Sequence, residues 1–393
     1  MSNKKDSGIF DRKGSIVLIL SLFEPTIFYK IPVIHAAYLV LLIISFAFII
    51  MHHIKHRIRL SKLTMAVIIY RLTLLMPTIC YSGDYLTWGY LSITTVLLSM
   101  IVGIGVKNSK NAFLNKLLTV ICLLLLMNLI LEVMHPNGLL GYSGLNFLGI
   151  RTRITDYAFP AITISAFMLI NNKKRKIYYG TLILSFVSII INSVSTAYVG
   201  IAIMIITYIL ATRRILGIKK IGTALFIISI IISSLIVSFR IGDFFSSSIT
   251  SLFGKTSSFS GRTELWDSAI KIVKERPLIG YGINNNGNFV PAIVYKGRGD
   301  VVALRQAHNQ TIQLFHDGGI MAFLAFYYLM YICYKGCDKA KRNKNSILLA
   351  SSLFALNIMM ITEIYSYYVA PYIIMFLCFY ADYLLPKQKE PNI

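Results

Sequence analysis

Toward the end of its longest polar stretch the chain reads L-R-Q-A-H-N-Q-T-I-Q-L-F-H-D-G-G, which clusters Arg305, His308 and Asn309. On a helix these residues and Ile312 share a face by i, i+3 and i+4 spacing. An imidazole titrates close to neutral pH and can accept a proton, while a guanidinium beside it can hold an anion through two parallel N–H bonds. An earlier stretch, S-G-R-T-E-L-W-D-S-A-I-K-I-V-K-E-R-P-L-I-G-Y-G-I-N-N from Ser260, puts Arg262 in the first turn of a helix, where free backbone N–H groups also favour anions. Leu265, Trp266, Ala269, Ile270, Ile272 and Val273 make one apolar face of that helix, Ser260 or Gly261 can cap its start, and Pro277 ends it. Gly280-Tyr281-Gly282 lacks the third glycine of a dinucleotide fingerprint and reads as a turn, and Gly318-Gly319 reads as a break. Plainer readings stand beside these. Arg151, Arg153, Arg240, Arg262, Arg276, Arg298 and Arg305 also have Asp243, Glu264, Asp267, Glu275, Asp300 and Asp317 as ion-pair partners, or lipid headgroups. A lone histidine is more often structural than catalytic.

The elements that must position these residues belong to a bilayer. The 393 residues are 56% hydrophobic and only 14% charged, with a mean hydropathy of +0.68, far from the roughly 25% charged residues of a soluble domain. Lysine and arginine outnumber acidic residues 39 to 16, but they fall in short clusters between apolar runs. That is the pattern of connections on the cytoplasmic side of a membrane, and it argues against nucleic acid as a partner. The five cysteines include no C-x-x-C pair, so neither a disulfide framework nor a metal site follows.

Apolar runs predict twelve spanning helices near 15–29, 31–51, 62–81, 86–106, 117–135, 157–171, 177–192, 195–212, 221–239, 318–334, 347–362 and 369–385. With the N-terminus inside, 25 of the 39 basic residues fall in the seven cytoplasmic segments and both termini are cytoplasmic. The expected fold is therefore an all-α polytopic membrane protein of about twelve transmembrane helices. It divides into an N-terminal bundle (1–239), a large external loop with short amphipathic helices (240–317) and a C-terminal bundle (318–393). Residues 136–156 form a second external segment, carrying Arg151 and Arg153. Arg71 falls mid-span and needs a partner, for which Glu24, Glu132 and Glu363 are available. Tyr365, Tyr367, Tyr368 and Tyr372 read best as an interfacial aromatic belt.

G-R-T-E-L-W-D-S-A (Gly261 to Ala269), R-P-L-I-G-Y-G-I-N (Arg276 to Asn284) and A-H-N-Q-T-I-Q-L-F-H-D-G-G (Ala307 to Gly319) resemble motifs of the O-antigen ligase and polymerase superfamily, most like capsular repeat-unit polymerases. The resemblance implies an integral-membrane glycosyltransferase in a bacterial inner membrane. It would polymerise polyprenyl-diphosphate-linked oligosaccharides into capsule or O-antigen on the external face, amid membrane lipids, with a flippase and a chain-length regulator as protein partners. It implies that Arg262 and His308 are catalytic, and that an arginine of an earlier external loop, Arg151 or Arg153, assists. Arg240, Arg305, Trp266 and Asn309 complete the expected substrate contacts. Where relatives carry an S-R-like element after a mid-chain span, this chain has Ser193-Val194-Ser195-Thr196-Ala197, so Arg240 or Arg305 is the expected substitute.

The chemistry is consistent with that residue set. Outside the membrane no nucleotide donor is at hand, so the sugar must carry its own leaving group. A departing diphosphate needs charge stabilisation, and the attacking hydroxyl needs a base near neutral pH. No external D-x-D-like motif and no carboxylate pair stand out, so the expected reaction is a displacement without metal or cofactor, inverting at the anomeric carbon. Two rivals remain at this stage. A ligase would move a finished glycan to another acceptor, and a transporter would flip the lipid-linked oligosaccharide.

Overall fold

The computed structural model describes residues 9–11, 14–171, 175–213, 219–238, 262–283, 293–297, 300–304, 306–340 and 342–385. Its helices are α1 (Ser15–Leu20), α2 (Pro32–Lys55), α3 (Lys62–Cys80), α4 (Tyr85–Met134), α5 (Ile154–Ile170), α6 (Lys176–Asn192), α7 (Ser195–Thr212), α8 (Ile221–Ser238), α9 (Arg262–Glu275), α10 (Gln310–Lys339), α11 (Lys344–Met359), α12 (Tyr372–Phe379) and α13 (Ala381–Leu384). Among the described residues, six segments are long and apolar enough to cross a membrane: α2, α3, α4, Arg151–Ile170, α7 and α10. Shorter apolar helices run over Lys176–Asn192, Ile221–Val237 and Lys344–Met359. The chain is an all-α multi-pass membrane protein, apart from one small hairpin.

Several expected spans take a different form. The run 15–29 is not one helix: α1 has six residues, and a 3-10 turn covers Thr26–Lys30. Glu24-Pro25 explains the break, because a proline pushes the residue before it out of the helical region. The runs 86–106 and 117–135 are joined in α4, whose 50 residues would reach about 75 Å if straight, more than twice a hydrocarbon core. The chain breaks at Ser109 (φ −148°, ψ 57°), and a Cβ on Gly105 would meet the Phe113 ring at 2.4 Å, so the two halves turn sharply against each other. The last run begins only at Tyr372, after Pro371. Inside the large external segment, Ile293–Gly297 and Asp300–Leu304 pair as an antiparallel hairpin, with Tyr295 opposite Val302. The helical reading of that loop had no such hairpin.

One apolar core runs through the bundle, built mainly from α3, α4, α5 and α10 to α12, while a smaller one gathers under α9. The amphipathic reading of α9 holds: Leu265, Trp266, Ala269 and Ile272 are buried with Tyr281, Ala307, Ile312 and Ile361, and Ile232, Ile236 and Ile358 pack against them. Burying each such side chain contributes roughly 1.5–3 kcal/mol. This second core ties α9 to the ends of α8, α10 and α11.

Two glycine elements lock the segment after α9 onto the bundle. Gly318 (φ −150°) and Gly319 (φ 61°, ψ −156°) break α10, as their sequence suggests. The residues after α9 run into this break: Tyr281 N–H donates to the His316 carbonyl at 2.7 Å, Gly282 N–H to that of Asp317 at 3.0 Å, and Ile320 N–H to that of Pro277 at 2.8 Å. A Cβ on Gly319 would stand 2.3 Å from the Leu278 carbonyl carbon, and one on Gly280 (φ +68°) 2.4 Å from the His316 oxygen. Only glycine fits either place. Beyond Gly282, Ile283 N–H donates to Thr78 Oγ1 at 3.0 Å, and the Ile283 carbonyl accepts from Asp84 N–H at 2.7 Å, closing the seam against the end of α3.

Candidate functional site

His308 does not lie on a helix. It has φ 46°, and α10 starts only at Gln310, because the Asn309 side chain caps it by accepting from Ile312 N–H at 3.0 Å. A cap residue is extended, here φ −151°, so the expected shared face of Arg305, His308, Asn309 and Ile312 is not formed. Asn309 is wholly buried and donates from Nδ2 to the Ile361 carbonyl at 2.9 Å. Gln310 grips the same neighbour: its Oε1 accepts from Tyr365 N–H and Ser366 N–H, each at 2.9 Å, and its Nε2 donates to Ser366 Oγ at 2.8 Å. The segment 360–371 between α11 and α12 is thereby fixed beside His308.

That segment supplies what faces the histidine. Glu363 Oε2 lies 3.9 Å from His308 Nδ1, a nitrogen buried without a hydrogen-bond partner. The next residue, Ile364, accepts from Arg153 Nη1 at 3.5 Å through its carbonyl. Arg153 is only 9% exposed, sits 3.5 Å from Asp156 Oδ2, and lays its guanidinium 3.6 Å above the Tyr368 ring. A cation over a desolvated aromatic face is worth about 2 kcal/mol. Arg153 and His308, far apart in sequence, thus meet across Glu363 and Ile364.

The segment between α4 and α5 delivers Arg153 because it is pinned from below. Leu148 N–H donates to Asn128 Oδ1 at 2.9 Å, and Asn128 and Asn192 donate to Glu132 Oε2 at 3.2 and 3.0 Å. Arg151, one of the two arginines between which the sequence gave no choice, is exposed.

The remaining predicted residues divide. Arg262 is the first residue of α9, one turn before Trp266, whose indole N–H donates to the Ala307 carbonyl at 3.1 Å. That contact brings the start of α9 beside His308. Trp266, expected to meet substrate, is 3% exposed and joins α9 to the His308 segment. The side chain of Arg262 lies outside the described residues, as do Arg240 and Arg305 altogether. Arg276 is bracketed by aromatic rings, 3.9 Å from the Tyr81 centroid and 4.6 Å from that of Tyr281.

Sequence reasoning missed the roles of the tyrosines and of Glu363. Tyr365 and Tyr372 are buried at 3% and 1% exposure, Tyr367 donates to Asp317 Oδ2, and Tyr368 carries Arg153, so the four are not an interfacial belt. The available signal was their crowding beside a carboxylate in Glu-Ile-Tyr-Ser-Tyr-Tyr, where a belt would spread along both interfaces. Nor does Arg71 meet the carboxylates proposed for it. It donates to Thr95 Oγ1 at 3.1 Å, the Ser366 carbonyl at 3.1 Å and the Tyr372 hydroxyl at 3.3 Å. Glu363 is instead with His308, Glu24 with His35, and Glu132 with the two asparagines. Arg71 therefore holds the underside of segment 360–371 through neutral oxygens, each such bond worth about 1.5–3 kcal/mol.

No curated protein matches the chain. Residues 180–327 match the family described as O-antigen ligase, a span that takes in α9, both glycine elements and His308 but leaves Arg153, Glu363 and Tyr368 outside. By that match, and by the motifs it contains, residues 180–327 are similar to the O-antigen ligase family.

Proposed function

We propose that this protein is a repeat-unit polymerase, transferring an oligosaccharide from polyprenyl diphosphate to a second lipid-linked repeat on the external face. The observation that carries the proposal is the meeting of Arg153 and His308 across Glu363–Ile364, next to the start of α9 with Arg262. In this reading the diphosphate is held by Arg153 and Arg262 at the positive end of α9. The acceptor hydroxyl oxygen attacks the anomeric carbon and its proton passes to His308. The bond from that carbon to the phosphate oxygen breaks with inversion, and polyprenyl diphosphate leaves with the electron pair. Glu363 then faces an imidazolium, which a carboxylate at 3.9 Å stabilises. The rigid grip of Gln310 on Tyr365 and Ser366 supports this geometry, because the base and its carboxylate keep their spacing.

The family description favours a second reading, a ligase transferring finished glycan to another acceptor. One experiment separates the two: the lipid-linked glycan profile of a deletion strain complemented with wild type or with His308→Ala. For a polymerase the deletion strain accumulates single repeat units on the carrier, and His308→Ala fails to restore long chains, a loss of about 10²–10⁴ in rate. Long glycan still bound to polyprenyl diphosphate in the deletion strain would establish the ligase instead.

A further inference from the structure

The connection between α1 and α2 rises to the same end of the bundle as the site. Ile27 N–H donates to the Phe147 carbonyl at 3.2 Å, and Thr26 Oγ1 to that of Leu148 at 2.9 Å. A Cβ on Gly149 would lie 3.0 Å from Thr26 Oγ1 and 3.1 Å from Arg153 Cγ, so the connection and the buried arginine stand on either side of one glycine.

This region contains a second histidine–carboxylate pair. His35 Nδ1 is 2.8 Å from Glu24 Oε1, with the Glu24 side chain fully buried and that of His35 30% exposed. Burial pushes the Glu24 carboxyl up and the hydrogen bond to His35 draws it back. Nδ1 is engaged by Glu24, and the other ring nitrogen, Nε2, can bond a hydroxyl as acceptor in the neutral ring or as donor in the imidazolium. Tyr29 packs tilted against His35, 4.7 Å between ring centroids and 40° between planes, and Lys30 Nζ lies 4.8 Å above the Tyr142 ring. Tyr29 and Tyr142 are 42% and 50% exposed. An interfacial anchor needs exposed aromatic rings but no carboxylate buried behind them, which costs several kcal/mol to desolvate. Rings that present an apolar face, next to an imidazole nitrogen that can bond a hydroxyl, match a sugar, which has C–H faces and hydroxyl edges.

We infer that residues 24–35 and Tyr142 form a second glycan subsite, for the acceptor repeat unit, in which His35 Nε2 shares a hydrogen bond with a sugar hydroxyl and Tyr29 and Tyr142 bear on the ring. The inference rests on the glycosyl-transfer reading and assigns the two substrates to two sides of Arg153. The arginine side takes the anionic diphosphate. The Glu24 side, with its buried carboxylate, suits an uncharged sugar and not a phosphate.

The test uses the full-length protein in nanodiscs and, as probe, the lipid-free repeat-unit oligosaccharide released by mild acid from the lipid-linked material of the deletion strain. Its binding is followed by saturation-transfer NMR. His35→Ala and Tyr29→Ala each weaken binding by roughly 5- to 30-fold, as for one or two lost contacts. Tyr29 is half-exposed, so its variant keeps the fold and serves should His35→Ala not assemble. Equal binding by wild type, His35→Ala and Tyr29→Ala overturns the subsite and leaves the transfer reading standing. A deletion strain with no lipid-linked glycan to release overturns both together.

Discussion

The seam between the external segment and the bundle and the site a few residues away are built on opposite terms. In the seam, residues 277–283 and 316–320 meet backbone to backbone, with Tyr281, Gly282 and Ile320 N–H groups each finding a carbonyl at 2.7–3.0 Å and no room for a Cβ at Gly280 or Gly319. In the site, the backbone of residues 309–310 and 360–366 is just as firmly held, but the functional side chains are left short of partners. His308 Nδ1 has no hydrogen bond and a carboxylate only at 3.9 Å, and Arg153 reaches Asp156 and Ile364 only at 3.5 Å. A buried polar group left unsatisfied costs about 1–3 kcal/mol. The seam spends its hydrogen bonds on rigidity, whereas the site keeps capacity that a ligand can fill.

The largest effect is expected where the seam allows no tolerance. Gly319→Ala places a Cβ 2.3 Å from the Leu278 carbonyl group in a backbone region that glycine alone occupies comfortably, a cost of about 3 kcal/mol. The variant should lose its monodisperse peak in detergent size-exclusion chromatography. A folded Gly319→Ala protein would mean that the seam is looser than its geometry says.

Arg153→Lys should do the reverse, folding normally and failing to react. Lysine keeps the charge but cannot lie flat on Tyr368 while reaching Asp156 and Ile364. Losing a contact used in the transition state costs about 2–4 kcal/mol, or roughly 30- to 1,000-fold in rate. Consumption of lipid-linked repeat by membranes with wild-type protein levels measures it, and near-normal turnover would remove Arg153 from the diphosphate site.

What the sequence made legible was local. The 3.6-residue period of α9 and the glycine pairs at 280–282 and 318–319 depend on near neighbours, and each takes the form its pattern predicts. What it hid was long-range or capped. No spacing rule links Arg153 to Ile364 or His308 to Glu363, since the first pair sits on opposite sides of the family-matched region and the second joins a residue inside it to one beyond it. The helix expected from Arg305 onward starts late because Asn309, read as a ligand contact, is a cap. The first span is short because hydropathy alone passes over the break at Glu24-Pro25.

Trp266 lies between the two regions and should give an intermediate effect. Trp266→Phe keeps an apolar ring in the core under α9 but leaves the Ala307 carbonyl without its donor, a loss of about 1–2 kcal/mol. The melting temperature should fall by a few degrees and turnover by several-fold, because Ala307 leads directly into His308. A full loss of turnover at unchanged melting temperature would indicate that the indole itself meets substrate.

The smallest effect is expected at Arg151, and it is the most discriminating. Arg151 and Arg153 occupy one 3-10 turn two residues apart, and by composition, charge and distance from α5 either could hold a phosphate. The structure separates them by surroundings: Arg153 is 9% exposed with an aromatic ring and a carboxylate to orient it, whereas Arg151 is exposed. An exposed guanidinium keeps its water and its rotamer freedom, so it contributes little to a fixed transition-state geometry. Arg151→Ala should therefore change stability by less than about 0.5 kcal/mol, and polymer output should stay within about twofold of wild type, below one kcal/mol in barrier. Measured beside Arg153→Ala at matched protein levels, the ratio of the two activities decides the assignment. If Arg151→Ala falls as far as Arg153→Ala, the diphosphate is held at the exposed rim, and the buried arginine serves to anchor the turn on Tyr368.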